Sequence, residues 1–229
     1  MLGMAVRSAY ALGLHREETM NELIFSKQEM RVRRNLWKSL FILDRFLAAS
    51  LGRPTAISED DCSCKIMPED NRNHPATFGG LDPECIHFKS IDSCVRSCHV
   101  IGVTLKVFSQ RKISHTVVQE IADKSRYWDL NLSRNQAEEP PANPAHGIAA
   151  LHVNLLALHS LLLLTRQVFM MHIWRLTVQR SKQTEATISR ETALAKYSEA
   201  CVIVSYHSIY LVQKAREAKY LPQRNPFIM

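Results

Sequence analysis

The feature that most constrains the fold is the stretch from Ser26 to Pro54, which predicts one long helix with a marked beginning and end. Ser26 can cap this helix, and Glu29, three residues later, completes the capping-box spacing. Gly52 accepts the left-handed backbone that ends many helices, and Pro54 cannot continue one. Because apolar residues recur three or four positions apart between these ends, the segment predicts the central helix of a bundle.

One face of this helix is predicted to be buried. It carries Trp37, Leu40, Phe41, Asp44, Leu47, Ala48 and Leu51, and it is widened by Leu36, Leu43 and Phe46. Asp44 is the charged exception on this face. A buried carboxylate must be paired, because an isolated buried charge is too unfavourable. The nearest cations in the sequence are Arg33, Arg34, Arg45 and Arg53.

The rest of the chain also predicts helices, since 46% of its residues are hydrophobic and only 7 of 229 are glycine. A narrow stripe of small residues marks the first helix, and Gly13 is expected to end it. The stripe consists of Met4, Ala5, Ser8, Ala9 and Leu12. A long irregular connection is predicted near 52–82, and Asn143-Pro144 is a start signal. The further helices are predicted at about Leu2–Leu12, Pro83–Ser109, Ser114–Leu132, Gly147–Thr177 and Ser189–Lys219. We therefore expect an all-α fold, a bundle of about six helices that forms a single domain over 1–229.

The most apolar segment, Gly147–Thr177, raises the alternative of a membrane span. Such a span needs about 20 apolar residues with few polar ones. His152, Asn154 and His159 interrupt the segment, and Arg166 follows. A buried bundle helix is therefore favoured over a membrane helix.

Cysteines and histidines offer the main candidates for a metal or catalytic site. Zinc sites require four ligands, usually from two close pairs, whereas the cysteines here are more typical of buried small side chains. The zinc alternative would use Cys62, Cys64, Cys94, Cys98, His87 and His99. His15 is expected to be a capping or surface histidine. The sequence has no glycine-rich phosphate loop, G-x-S-x-G or H-E-x-x-H motif, so no enzyme is expected.

Three blocks in the first 68 residues resemble a known family. They are MAVRSAYALGLHRE at 4–17, RRNLWKSLFILDR at 33–45 and LGRPTAISEDD at 51–61, followed by Met67-Pro68. In order and spacing they resemble the end of the fungal-specific transcription factor domain, the middle homology region of fungal zinc-cluster regulators. The family-like core is 4–68, and Lys38 replaces the second tryptophan of the usual pair. The motif residues, expected to be structural, are Gly13, Leu14, His15, Arg16, Arg33, Arg34, Trp37, Asp44, Arg45, Gly52, Arg53 and Pro54.

The resemblance implies a nuclear regulatory domain that restrains or tunes transcriptional activation. Partners would be proteins of the transcription machinery or a small-molecule effector, with no membrane. The resemblance also implies zinc and DNA binding, but only through a zinc cluster that this chain lacks. Its six cysteines are scattered over 62–201 without the C-x₂-C-x₆-C pattern. No cofactor is expected in this chain, and its start inside a family block is expected to mean that upstream helices are missing.

Two other functions remain open from the sequence. One is a helical ligand-binding or scaffold protein with no transcriptional role. The other is an α-helical enzyme that uses His159, His172 or the cysteines. The net charge of +7 does not separate these alternatives. Residues 81–229 hold 18 Lys+Arg and 12 Asp+Glu, but no compact basic run of the kind that marks a nucleic-acid-binding arm.

Overall fold

A computed structural model describes residues 1–19, 24–63, 83–109, 144–178 and 185–219. Within these residues the chain forms five α-helices, one short 3₁₀ helix at Glu17–Thr19 and no strand. The helices are α1 (Leu2–Ala11), α2 (Lys27–Leu51), α3 (Pro83–Ser109), α4 (Pro144–Val178) and α5 (Glu185–Glu217). The prediction of an all-α fold is confirmed. The helix predicted at Ser114–Leu132 and most of the predicted long connection lie outside the described residues.

Helix ends follow their sequence signals. At the start of α2, the Glu29 backbone N–H donates to Ser26 Oγ at 3.3 Å, and Glu29 Oε2 accepts from the Ser26 backbone N–H at 2.8 Å. These two bonds form the predicted capping box. Gly52 ends α2 with a left-handed φ of 64°. α4 begins at Pro144, so the proline of the predicted start signal occupies the first helical position.

The chain divides into two compact units, residues 1–111 and 112–229, which are described separately. In the first unit, α2 packs against α1 and α3. Trp37 and Phe41 of α2 are fully buried, as are Val95 and Ile101 of α3. These side chains form the apolar core of the unit.

Only one side of α2 is buried, which corrects part of the predicted face. Trp37 and Phe41 are buried as expected, but Leu36 is 49% exposed, Leu43 45% and Leu51 59%. The reason is that α1 and α3 cover the side of α2 that carries Trp37 and Phe41.

The stripe predicted on α1 is also partly wrong. Ala9 is buried as predicted, but Val6 is its buried companion, while Met4 is 74% exposed and Leu12 is 60% exposed.

In the second unit, α4 and α5 pack along each other. His172 Nδ1 of α4 lies 2.8 Å from Ser198 Oγ of α5. Leu164 and Val168 of α4 are 1% and 2% exposed. By length and composition alone, Gly147–Trp174 is able to cross a membrane, as core helices of soluble proteins also are.

Buried hydroxyl groups of α4 bond to their own helix. Ser160 Oγ donates to the carbonyl of Ala157 at 2.7 Å, and Thr165 Oγ1 donates to that of Leu161 at 2.8 Å. These bonds satisfy hydroxyl groups whose burial among apolar side chains would otherwise be unfavourable.

Trp37→Ala tests the assignment of the buried face of α2. Removing a fully buried indole leaves a cavity, so we expect the free energy of unfolding to fall by about 3–5 kcal/mol. Leu36→Ala is the matched control on the exposed side and should change stability by less than about 0.5 kcal/mol. Chemical denaturation of both variants measures the difference. A Trp37→Ala variant as stable as the parent protein would contradict the assignment.

Candidate functional site

Asp44 and Arg45, adjacent residues of α2, form a buried ion pair. Both side chains are 4% exposed, and Arg45 Nη1 donates to Asp44 Oδ2 at 2.7 Å. Of the four arginines that the sequence offered as partners for Asp44, the structure brings Arg45 to it. Since an unpaired charge in this position would be strongly destabilising, each residue requires the other.

The same pair binds the segment that follows α2. The two carboxylate oxygens of Asp44 accept from the backbone N–H groups of Ala56 at 2.9 Å and Ile57 at 3.1 Å. Arg45 Nη1 donates to the carbonyl of Ile57 at 3.0 Å. Ile57 is 1% exposed, whereas the motif residues Arg53 and Pro54 are exposed. The ion pair therefore fixes the backbone of this segment against α2.

Glu59 extends the ion pair to α3. Its Oε1 accepts from Arg45 Nη2 at 3.1 Å, and its Oε2 lies 2.8 Å from His99 Nδ1. Burial raises the pKa of the Glu59 carboxyl and is the largest single effect, but His99 and Arg45 together bring it below its usual value. We call Asp44, Arg45, Glu59 and His99 the charge network. It joins α2, the segment after α2, and α3.

Two neighbours fix the position of the Arg45 side chain. Its guanidinium carbon lies 4.5 Å from the centroid of the Phe41 ring, a cation–π distance. On α3, a Cβ atom added at Gly102 would lie 2.7 Å from Arg45 Nε and 3.2 Å from Arg45 Cδ. Gly102 therefore leaves the space that the Arg45 side chain occupies between the two helices.

A second cluster, which we call the aromatic corner, joins α1 to α2 through the rings of Tyr10, His15 and Trp37. The ring centroid of Tyr10 lies 4.6 Å from that of His15 and 5.5 Å from that of Trp37. Leu14, which precedes His15 in the chain, is also buried, at 2% exposure. His15 is 8% exposed, so the prediction of a capping or surface histidine is wrong. Burial lowers the pKa of His15 and favours its neutral ring.

Gly13 allows the tight turn after α1 that leads into the aromatic corner, for two reasons. Its φ of 68° lies in the left-handed region that favours glycine, and a Cβ atom there would lie 2.8 Å from Thr19 Cγ2. The backbone N–H of Leu14 then donates to the carbonyl of Ala9 at 3.0 Å and closes the end of α1. Gly13 ends the helix as predicted.

The remaining motif arginines hold the connection between α1 and α2. Arg33 Nη2 donates to the carbonyl of Leu12 at 2.8 Å, and Arg34 forms an ion pair with Glu17. Arg16 is exposed. Because a largely exposed ion pair contributes little stability, the contact between Arg34 and Glu17 orients the connection more than it stabilises it.

Lys38 occupies the position where the family pattern has its second tryptophan. Its Nζ lies 2.6 Å from Asp92 Oδ1 of α3, and the two side chains are 17% and 33% exposed. An ion pair thus links α2 to α3 at this position.

The cysteines of the zinc alternative are not arranged as a metal site among the described residues, where no group of three potential ligands lies together. Burial raises the pKa of Cys94 to about 12 and that of Cys62 to about 11, and it also raises that of Cys98. Metal ligation requires the thiolate, which these raised pKa values disfavour. Cys64 and the side chain of His87 lie outside the described part.

Sequence reasoning missed three members of the site. Glu59 was recognised only as part of the LGRPTAISEDD block. His99 and Gly102 were recognised as regularly spaced residues of the third helix, and His99 also as a candidate zinc ligand, but neither was expected near Arg45. The signals available were the acidic run after α2 and the three-residue spacing that places His99 and Gly102 on one face of α3.

Comparison with known proteins finds a family model that matches the part of the chain containing these residues. The model of the fungal specific transcription factor domain matches residues 1–139, a range that contains the charge network and the aromatic corner. No solved structure matches the chain significantly.

Three curated relatives are regulators from fungi. Filamentous growth regulator 27 of Candida albicans is 24% identical over 95% of this chain and 29% of its own length. Activator of stress genes 1 of Saccharomyces cerevisiae is 25% identical over 98% and 26%. Cutinase transcription factor 1 alpha of Fusarium vanettenii is 29% identical over 42% and 11%. The chain thus spans less than a third of the length of these relatives.

Gly102→Ala tests the close approach of α3 to Arg45. Within a helix, glycine to alanine ordinarily stabilises by about 1 kcal/mol. Here we expect the free energy of unfolding to fall by about 1–3 kcal/mol, the range for overpacking. Gly3→Ala on α1, where a Cβ atom would meet nothing within 4 Å, is the matched control. If thermal or urea denaturation shows both substitutions stabilising, the contact at Gly102 does not constrain the fold.

Acidification tests the role of Glu59. Its pKa in the folded protein is lower than the ordinary value of about 4.5, so its contribution to stability is complete above that value. The contribution is lost as the pH falls through the lower, folded-state pKa. We therefore expect Glu59→Gln to lose less stability than the parent protein between pH 6 and pH 3, measured by urea denaturation. Parallel pH profiles for the two proteins would show that Glu59 is not held as described.

Proposed function

The chain belongs to the fungal-specific transcription factor domain family, and from this premise we propose that it is the regulatory domain of a zinc-cluster transcription factor. The observation that carries the proposal is the family match over 1–139, which contains every motif residue named above. The relatives that the chain resembles over nearly its whole length also carry the names of regulators.

The proposal assigns regulation, rather than DNA binding, to this chain. Specific DNA binding and zinc belong, in this proposal, to a cysteine cluster outside the 229 residues, because the six cysteines here lack the cluster spacing. The chain itself holds no cofactor and acts in the nucleus, through proteins of the transcription machinery or a small-molecule effector. It performs no catalysis and does not enter a membrane.

Restraint of activation requires the first unit to be folded. The charge network supports this requirement, because it holds the chain after α2 against both α2 and α3 through buried polar contacts. Removing one partner of a buried ion pair leaves the other charge uncompensated, which lowers the free energy of unfolding by about 3–5 kcal/mol. A variant that breaks the pair should therefore lose regulation together with folding.

A reporter experiment in yeast tests the proposal. The chain is inserted between a heterologous DNA-binding domain with its own nuclear signal and an acidic activating segment. We expect reporter output at least threefold below that of the same fusion without the chain, at equal protein level. Arg45→Met should restore output, because Asp44 is then buried without its cation and the first unit loses its fold. Leu36→Ala, on the exposed side of α2, should not restore output.

Equal output with and without the chain, at matched protein levels, would remove the regulatory function. The alternative of a helical scaffold with no transcriptional role would then be favoured.

A further inference from the structure

α5 carries apolar side chains on two opposite faces. One face lies inside the second unit, where Cys201 is 7% exposed, Val204 9% and Ala215 5%. The opposite face is open. It carries Val202 at 58% exposure, Ile203 at 48%, Tyr206 at 65%, Ile209 at 69% and Tyr210 at 40%. Because these five residues recur at spacings of three, four and seven, they form one continuous surface, which we call the α5 stripe.

Side chains of the α5 stripe contact one another. The rings of Tyr206 and Tyr210 are stacked, with centroids 6.4 Å apart and an interplanar angle of 17°. Lys214 Nζ lies 5.7 Å from the centroid of the Tyr210 ring. Contiguous apolar surfaces of this kind are uncommon on monomeric proteins and mark sites of association.

Charges at the two ends of the stripe repeat in the same order. Lys196 and Glu199 precede the stripe, and Lys214 and Glu217 follow it, each pair three residues apart. All four side chains are exposed. Glu199 and Glu217 each lie seven residues from a tyrosine of the stripe, so they share its face. At the first end, the lysine is therefore farther than the glutamate from the centre of the stripe. At the second end, the lysine is nearer to the centre than the glutamate.

We propose that the α5 stripe is the interface of a homodimer in which α5 pairs with α5 of a second copy in antiparallel orientation. In this orientation Glu199 faces the second copy's Lys214, and Lys196 faces its Glu217. Both pairs are centred on the same point, between Tyr206 and His207, so one register satisfies both. The two-fold axis repeats them, which gives four ion pairs.

The same register matches the apolar residues. Ile203 faces the second copy's Tyr210, Val202 lies beside its Ile209, and Tyr206 lies on the axis beside its own equivalent. Parallel pairing, by contrast, would place Lys214 on Lys214 and Glu199 on Glu199. Like charges in such positions are strongly unfavourable. The charges therefore select the antiparallel arrangement and a second copy as the partner. This assembly does not depend on the proposed regulatory function.

Charge reversal of the full chain tests the proposal by sedimentation equilibrium. We expect the parent protein to form a concentration-dependent dimer. Glu199→Lys and Lys214→Glu should each raise the dimer Kd at least tenfold, because each creates two like-charge contacts. Mixing the two variants in equal amounts should restore association, since the Lys at 199 then meets the Glu at 214. The double variant should also dimerise.

Arg7→Glu is the matched control for Lys214→Glu, because it makes the same charge change at an exposed position of α1 and should leave the Kd within twofold. Circular dichroism establishes that each variant keeps its helices. Tyr206→Asp, which places two carboxylates at the axis, should abolish the dimer. The proposal is overturned if the parent protein is monomeric at every concentration of a 100-fold dilution series. It is also overturned if single charge reversals leave the dimer intact, or if mixing the two variants does not restore association.

Discussion

The first unit depends on how a buried arginine is satisfied. Arg45 is removed from water inside a helical core, where a lone cation would be strongly unfavourable. Asp44 supplies the opposing charge, Glu59 a second acceptor, and the Ile57 carbonyl a third. These acceptors come from α2 and from the chain after it, and Glu59 in turn contacts His99 of α3. The polar contacts thus decide where the segment after α2 must lie, which the apolar core alone would leave less defined.

The features of the fold that the sequence predicted are those set by residues close together in the chain. The capping box at Ser26 and the glycine at Gly52 depend on neighbouring residues, and both were predicted from spacing. The need to pair Asp44 followed from its predicted burial, but the choice of Arg45 did not, because the sequence offered four candidate arginines and successive side chains on a helix point in different directions. His99 and Gly102 come from another helix, so their contacts with Glu59 and Arg45 depend on packing between distant segments. No local pattern encodes that packing.

The exposed leucines of α2 and the burial of His15 show a related limit. Periodicity identifies which residues share a face, but neighbours decide which face is covered. Leu36 and Leu43 are as apolar as Leu40, yet α1 and α3 lie on the other side of α2. His15 follows a glycine turn that directs it towards Tyr10 and Trp37, so it becomes part of a core that its polarity did not predict.

The ion pair between Lys38 and Asp92 makes two distant positions of the chain depend on each other. A tryptophan at position 38 and a lysine at position 38 require different neighbours, since an indole needs apolar contacts and an ammonium group needs an acid. Asp92 lies 54 residues further along the chain, on another helix. The exchange at one position therefore leaves an uncompensated partner until the other also changes. The effects of substitutions at positions 38 and 92 should therefore not add, because a change at either position alters what the other side chain contacts.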